Sequence, residues 1–248
     1  ASPAPETSTG PEARPAPETA PAPETSPDPE ALADTLLAYT AELYRFNEKL
    51  GLVEAEPPEF VHAHLLDSLA PVAALPKRSR RKLLRGAMTL DLGSGAGLPG
   101  IPLALAFPKL EMTLLDRSGR RCGFLRNAVA ILGRRDITVL QGTLKEGGRR
   151  LAGKVELLFA RAFHPLDARL YEGLSRLLSP SGEMILYKGR REQVESELSA
   201  LLRELQEKSK EPPESEIREV DVPGLERERS VLIMRPWRSS GGPSEDFG

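Results

Sequence analysis

The stretch Met88-Thr-Leu-Asp91-Leu-Gly93-Ser-Gly-Ala-Gly97-Leu-Pro-Gly100-Ile-Pro102 decides the fold of this chain. It opens with an apolar run typical of a buried strand and continues with four glycines within eight residues. A helix is predicted to start near Ile101. Glycine lets a backbone turn tightly and approach a ligand closely, at a cost in conformational entropy that a plain turn does not require. The stretch therefore predicts a parallel strand, a ligand-binding loop and a helix.

A second strand supports the interpretation of this loop as a ligand site. The apolar run from Leu110 ends in Asp116, about 20 residues past the loop, where an acidic side chain can hold a ribose hydroxyl. The chain lacks Gly-Lys-Ser/Thr here, which argues against a nucleoside-triphosphate loop, and Leu98-Pro99 interrupts the spacing of the dinucleotide fingerprint. The form Asp-Leu-Gly-x-Gly-x-Gly resembles the loop of S-adenosylmethionine (AdoMet) methyltransferases.

Strands and helices are predicted to alternate through the rest of the chain, which favours a mostly parallel sheet covered on both faces. Helices are expected before the first strand at 31–50, 60–70 and in the basic run before Gly86. The predicted strands are 88–92, 110–116, 137–140, 155–160, 183–188, 217–222 and 231–235, and the predicted helices between them are 101–107, 119–132, 165–178 and 191–208. The last two strands should form an antiparallel hairpin. The predicted class is a Rossmann-like α/β fold, with ligand over the carboxyl ends of the strands.

Composition divides the 248 residues into a core and two tails. Residues 1–30 repeat Pro-Ala-Pro-Glu-Thr three times and are predicted to be a disordered arm, as is the tail 238–248. The core then comprises a helical segment, 31–86, and a ligand-binding domain, 87–237. The chain carries a net charge of −2, the arm −5 and the tail −1, so residues 31–237 carry +4. A mildly basic core is compatible with an RNA partner.

Other features narrow the class of protein. Cys122 is the only cysteine, so neither a disulfide framework nor a cysteine-rich metal site is predicted, and we expect no bound metal. No run is long enough to span a membrane, and we expect a cytoplasmic monomer. The basic run at 77–85 is either a solvated helix face or a patch that contacts phosphates.

Specific motifs resemble the glucose-inhibited division protein B family, whose members use AdoMet to methylate guanine N7 in small-subunit ribosomal RNA. The similarity runs from about Tyr44 to Pro236. The segments that carry it are Phe46-Asn47, His64-Leu-Leu-Asp67-Ser-Leu69, the glycine loop through Ala104, Leu114-Leu-Asp116-Arg-Ser-Gly-Arg-Arg121 with Phe124-Leu125, Ala160-Arg-Ala-Phe163 and Tyr187-Lys-Gly189. The Gly-Leu-Pro-Gly-Ile-Pro extension and the His-x-Leu-Asp-Ser-Leu segment make this resemblance specific to the family.

The resemblance implies a class I methyltransferase fold, with AdoMet as cofactor and small-subunit ribosomal RNA or a ribosomal particle as partner. It assigns Asp116 to the ribose hydroxyls, Gly93 and Leu98 to the methionine and ribose side, and Leu144-Lys145 to the adenine. The full set of expected cofactor residues is Asp91, Gly93, Gly95, Gly97, Leu98, Asp116, Leu144, Lys145 and Arg161. Arg161 either completes this pocket or forms a structural ion pair.

The chain departs from the family after the third strand. The usual Gly-Arg-Ala-Glu is replaced by Gly142-Thr-Leu-Lys145, which reverses the charge on the adenine side. Two alternatives therefore stay open. One is a diverged paralogue that methylates another RNA or a small molecule, and the other is an AdoMet-binding ribosome assembly factor with little turnover.

No catalytic acid or base is predicted, because guanine N7 has a lone pair and no proton and needs alignment more than proton transfer. Amino-directed methyltransferases carry Asp/Asn-Pro-Pro-aromatic after the fourth strand, where this chain has Ala160-Arg161 instead, and Cys122 is poorly placed to be a nucleophile. Arg117 and Arg120 are expected to lie near the surface that binds RNA. Direct contacts with the RNA are expected from His64, Arg121, Arg126 and Lys188. His64 alternatively fixes a helix to the sheet, and Lys188 alternatively just ends its strand.

Overall fold

A computed structural model describes residues 27–161 and 165–236. The predicted arm up to residue 26, the tail 238–248 and the motif residues Ala162 and Phe163 lie outside these ranges, so both disordered segments stay predictions.

Helices form the first part of the described chain. Helix α1 (Pro29–Leu50) starts two residues before the predicted boundary, because the Asp28 carboxylate accepts a hydrogen bond from the Ala31 amide and caps the helix. It ends at Gly51, whose φ of 56° is a left-handed cap. There follow α2 (Pro57–Phe60), a π-helical turn (Val61–Leu66), α3 (Asp67–Leu69), α4 (Pro71–Ala74) and α5 (Lys77–Arg85).

Strands and helices then alternate as predicted. The elements are β1 (Met88–Leu92), α6 (Gly100–Ala106), β2 (Glu111–Asp116), α7 (Gly119–Ile131), β3 (Ile137–Gln141), α8 (Leu144–Leu151), β4 (Val155–Arg161), α9 (Ala168–Ser175), β5 (Leu178–Lys188), α10 (Arg191–Glu207), β6 (Glu214–Val220) and β7 (Arg229–Arg235).

The strands form one seven-stranded sheet in the order β3-β2-β1-β4-β5-β7-β6. Strands β1 to β5 are parallel, and β7 runs antiparallel between β5 and β6. The order reverses between β1 and β4, which is where ligands bind in open α/β sheets. The predicted class I methyltransferase fold with its antiparallel hairpin is thereby confirmed.

Side chains alternate between the two faces of the sheet. On β4, Leu157 and Phe159 belong to one core and Leu158 and Ala160 to the other, which is the period of a strand buried on both sides. The first core holds α1, the short helices, α6 and α7, and the second holds α8, α9 and α10. Because residues before β1 share the first core with the sheet, the helical segment packs as part of the same body.

Several predicted boundaries were wrong. Helix α8 occupies a stretch that was expected to be a loop, because Thr143 and Glu146 form a capping box at its start. Helix α9 is shorter than predicted at both ends, since the Asp167 side chain caps its start by accepting a hydrogen bond from the Leu170 amide and β5 already begins at Leu178. Strand β6 starts three residues earlier than predicted and ends two residues earlier.

The basic run of α5 does not lie near the predicted ligand edge. Glu183 pairs with Leu157 near the amino ends of the strands, and its buried carboxylate binds Arg78 Nε at 3.0 Å and Lys82 Nζ at 3.1 Å. Ser79 also donates to this carboxylate. The run thus anchors α5 to the sheet at the edge opposite the carboxyl ends, so its use as an RNA patch beside the ligand site is not supported.

The Glu183 cluster predicts a large difference between two ion-pair variants. Glu183→Ala leaves Lys82 buried without its partner and should lower the free energy of unfolding by about 3–5 kcal/mol. Glu156→Ala removes the partner of the half-exposed Arg85 and should cost about 0–1 kcal/mol. Urea unfolding measures both values, and equal costs would contradict this account of the cluster.

Candidate functional site

The glycine loop is tied to the end of the neighbouring strand. The amide N–H groups of Gly93 and Ser94 both donate to the Leu115 carbonyl oxygen, at 2.8 and 3.1 Å. Gly93, Gly95 and Gly97 have φ values of 71°, 56° and 90°, which L side chains rarely adopt. The loop therefore needs glycine to turn back across the carboxyl ends of β1 and β2.

These glycines have different roles. A Cβ on Gly97 would lie 2.5 Å from Ile101 Cδ1, so Gly97 allows the loop to pack on α6. A Cβ on Gly93 would meet nothing within 4 Å, and one on Gly95 only the Gly93 carbonyl oxygen at 3.7 Å. Gly93 and Gly95 thus leave an open cradle beside the backbone, which a side chain would fill and a ligand can enter.

Asp116 lies against this cradle at the end of β2, 4% exposed. Its Oδ2 accepts a hydrogen bond from the Gly95 amide at 2.9 Å, and its Oδ1 accepts one from the Ser118 amide at 2.8 Å. Each carboxylate oxygen has a further lone pair, so the group can still accept hydrogen bonds from two neighbouring hydroxyls. Its position fits the predicted ribose contact.

Asp91, another predicted cofactor residue, lies beneath the loop and is fully buried. Its Oδ2 accepts from the Gly100 amide at 3.1 Å at the start of α6, and its Oδ1 has no partner among the described residues. Burial raises the pKa of this carboxyl to about 7. The side chain fixes the start of α6 and keeps one acceptor unpaired at the floor of the loop.

Arg161, at the end of β4, belongs to an ion-pair network. Its Nη1 lies 3.2 Å from Asp67 Oδ2, and Arg229 Nε donates to Asp67 Oδ1 at 2.8 Å. The structure thus shows the structural ion pair that was one of the two predicted roles of Arg161. Sequence reasoning assigned no role to Asp67 or Arg229, although Asp67 stands in the motif that carried the family resemblance.

His64 joins the same network through its ring. Arg161 Nη2 lies 3.2 Å from His64 Nδ1, and the Phe60 ring packs with its centroid 5.2 Å from that of His64. Burial, together with the neighbouring Arg161 charge, lowers the pKa of His64 to about 4. A guanidinium only donates, so His64 Nδ1 accepts and the neutral ring carries its proton on Nε2. The half-buried imidazole therefore offers one N–H donor at this edge.

Two buried tyrosines join the helical segment to the carboxyl edge. Tyr39 Oη donates to the Ala96 carbonyl oxygen of the glycine loop at 2.5 Å, and Tyr187 Oη donates to the Ser68 carbonyl oxygen at 2.8 Å. Burial raises the pKa of both phenols. Tyr39 was missed because its contact spans 57 residues of sequence, which no local pattern reports.

The two residues expected at the adenine lie in the first turn of α8. Leu144 is half-buried and Lys145 is exposed. The adjacent Glu146 accepts a hydrogen bond from the Thr143 amide at 2.7 Å, so this carboxylate serves the capping box. The expected loop is therefore a helix start, and the charge reversal affects an exposed position.

The predicted RNA contacts fall into two groups. Arg121 and Arg126 are exposed on α7, and Arg121 Nη1 lies 3.9 Å from Asp116 Oδ2. Lys188, by contrast, is only 8% exposed in its side chain and binds Glu197 of α10 at 2.6 Å. The pairing favours the structural role of Lys188 over contact with a phosphate or a base.

The shifted pKa of His64 predicts a pH-dependent contribution to stability. Between pH 6.5 and about 4 the unfolded chain binds a proton at this residue that the folded chain does not, so folding is weakened as pH falls through this window. His64→Gln cannot titrate and lacks this contribution. In urea unfolding at pH 7.5 and 4.5, the stability difference between wild type and His64→Gln should shrink at the lower pH, and a constant difference would refute the proposed neutral state.

Comparison with known proteins identifies the family. The family described as "rRNA small subunit methyltransferase G" matches residues 33–225. A ribosomal RNA small subunit methyltransferase G from Treponema denticola is 30% identical over 228 residues, covering 82% of this chain and 86% of the relative. One of the same name from Alkalilimnicola ehrlichii is 37% identical over 201 residues, covering 81% of this chain and 82% of the relative.

A solved structure agrees on the fold alone. The crystal structure of a mutant of MtNAS superposes with a TM-score of 0.51 at 16% identity, covering 84% of this chain and 76% of that one.

The predicted family and the predicted enzyme class, an rRNA methyltransferase, are confirmed by the family match and by the curated relatives. The chain belongs to the rRNA small subunit methyltransferase G family.

Proposed function

We propose that this protein transfers a methyl group from AdoMet to N7 of a guanine in small-subunit ribosomal RNA. The observation that carries the proposal is the glycine cradle beside Asp116, on a chain of this family. Class I methyltransferases use AdoMet, which supplies a methyl group already activated on a sulfonium.

The cofactor residues are proposed from the geometry of the cradle. Gly93 and Gly95 leave the space, and Asp116 accepts hydrogen bonds from the ribose hydroxyls. Gly97 and Asp91 act indirectly, because they hold the loop against α6. Leu98, buried in the core below the loop, supports it in the same way, and Leu144 and Lys145 border the site from the start of α8.

The acceptor base is proposed to lie beside the ends of β4 and β5. Guanine N7 attacks with its own lone pair, so the chain must align the base and stabilise charge rather than remove a proton. His64 is proposed as a contact on this side, because its neutral ring keeps an N–H donor while Arg161 holds the other ring nitrogen. Arg161 then acts by positioning His64 rather than through a free guanidinium, because its guanidinium is held by Asp67 and His64.

The same chemistry makes a metal unnecessary in this proposal, since the methyl group is already activated on the sulfonium before the base arrives.

We further propose that the protein is a monomer and that it acts in the cytoplasm, where ribosomal RNA is found. Large exposed apolar side chains within the described ranges are confined to Leu37 and Ile131, which is little for a stable protein interface. In the same ranges, no helix combines the length and apolarity needed to cross a bilayer.

Methyl transfer tests the proposed substrate. Incubating the protein with labelled AdoMet and unmodified small-subunit RNA, or with the small subunit itself, should give label at a guanine, mapped to N7 by cleavage at 7-methylguanosine. Label at another atom or only on a small molecule would favour the diverged paralogue, for which the altered segment after β3 is the supporting observation. AdoMet binding without transfer to either substrate would favour the assembly factor.

A pair of glycine variants tests the placement of the cofactor. Gly95→Asp puts a side chain and a negative charge into the cradle beside Asp116, and should lower transfer at least 100-fold because the ligand is excluded. Gly133→Asp is the matched control. Gly133 also has a positive φ with nothing within 4 Å of a Cβ, but it lies on an exposed turn after α7.

Both glycine variants should lose about 1–2 kcal/mol of stability from the positive φ, as measured by urea unfolding. Only Gly95→Asp should lose activity. Persistent transfer by that variant would show that the cofactor site has been misplaced.

A further inference from the structure

A basic groove opens between the end of α1 and the start of α7. It has a volume of about 350 Å³ and is lined by Leu50, Arg117, Ser118, Arg120 and Arg121. The groove lies next to the cofactor cradle, because Arg121 Nη1 is 3.9 Å from Asp116 Oδ2. It is distinct from the acceptor side, which lies along the ends of β4 and β5.

Two of the three arginines of the groove have no ionic partner among the described residues. Arg117 and Arg120 are exposed and form no ion pair within the described ranges. Arg121 forms only a long one, with its Nη1 3.9 Å from Asp116 Oδ2. In the other basic cluster, in α5, Arg78 and Lys82 are bound to Glu183 and Arg85 is bound to Glu156. The remaining basic residues of that helix are exposed and form no ion pair within the described ranges, but α5 lies at the edge of the sheet opposite the ligand site. The groove thus concentrates three positive charges, two of them without an ionic partner in the part of the chain that the structure describes.

These positive charges lower the stability of the fold, because they lie at the amino end of α7. The amino end of a helix carries partial positive charge, and acidic side chains are favoured there. The first turn of α7 has no acidic residue and instead contains Arg120 and Arg121, three and four residues after Arg117. Mutual repulsion and the helix dipole both destabilise this arrangement, so an anion is the missing partner.

We propose that this groove binds the phosphate backbone of the RNA beside the target nucleotide. Guanidinium groups suit phosphate oxygens, and the described residues that line the groove include no aromatic side chain on which a base could stack. The groove holds the strand next to the methyl donor while the base enters from the other side. This inference rests on the proposed function for the identity of the anion, but its charge and geometry are independent of which atom is methylated.

Removing charge from the groove should weaken RNA binding and leave cofactor binding intact. Arg117→Gln with Arg120→Gln removes the two arginines that do not contact Asp116. Affinity for small-subunit RNA, measured at several salt concentrations, should fall by roughly tenfold, and the slope of log affinity against log salt should become shallower by about 1.4 for two lost contacts to a single strand. AdoMet affinity, measured by calorimetry, should stay the same.

Single variants at Arg120 should not be less stable than wild type. Because the arginines oppose the dipole of α7, Arg120→Gln should keep or raise the melting temperature, and Arg120→Glu should raise it further while weakening RNA binding most. A loss of binding with a gain in stability distinguishes a binding site from a structural cluster. Arg203→Gln is the control, because it removes one positive charge, as Arg120→Gln does, from an exposed position of α10 on the other face of the sheet. It should alter neither the salt slope nor the AdoMet affinity.

The remaining outcomes are decisive. An unchanged salt slope in the double variant, or no RNA or small-subunit binding by wild type, would overturn the proposal. A loss of AdoMet affinity would assign the groove to the cofactor, and a defect seen only with the assembled small subunit would assign it to a ribosomal protein. Groove-dependent RNA binding without methylation at guanine N7 would instead contradict the proposed function and leave this inference standing.

Discussion

The site depends on the hydrogen bonds that join the glycine loop to the end of β2. The Gly95 amide donates to Asp116, and the amides of Gly93 and Ser94 donate to the Leu115 carbonyl oxygen. These contacts require the loop to lie flat against the neighbouring strand, and the positive φ values of its glycines make that path possible. The cradle, the Asp116 carboxylate and the start of α7 all take their positions from this junction.

The helical segment before the sheet is a wall of the site rather than a separate appendage. Asp67 binds guanidinium groups from β4 and from the start of β7, and Tyr39 reaches the glycine loop from α1. A buried ion pair of this kind contributes less to net stability than to fixing one arrangement, because desolvation offsets much of the attraction. Here the fixed arrangement includes the tautomer of His64, which an independently folded helical domain would not set.

Features that depend on local sequence patterns were predictable, whereas features that depend on contacts between residues far apart in the sequence were not. The glycine loop, Asp116 and the alternation of strands and helices follow from spacing and periodicity, and the structure agrees with them. Helix α8 was missed because its short sequence contains Gly147 and Gly148, which weaken any helical pattern, whereas the capping box that starts it depends on two side chains acting together. The pairing of Lys188 with Glu197 and of α5 with Glu183 likewise depends on packing that the sequence does not display.

The central claim is that the loop and Asp116 form the AdoMet site, and calorimetry tests it most directly. Wild type should bind AdoMet at one site. Asp116→Asn should weaken binding roughly tenfold to a hundredfold, since hydrogen bonds to a charged group contribute about 1.5–3 kcal/mol. Asp136→Asn, an equal charge change at an exposed residue that pairs with Arg134, should leave the affinity unchanged. No binding by wild type, or equal affinities for all three proteins, would contradict the account.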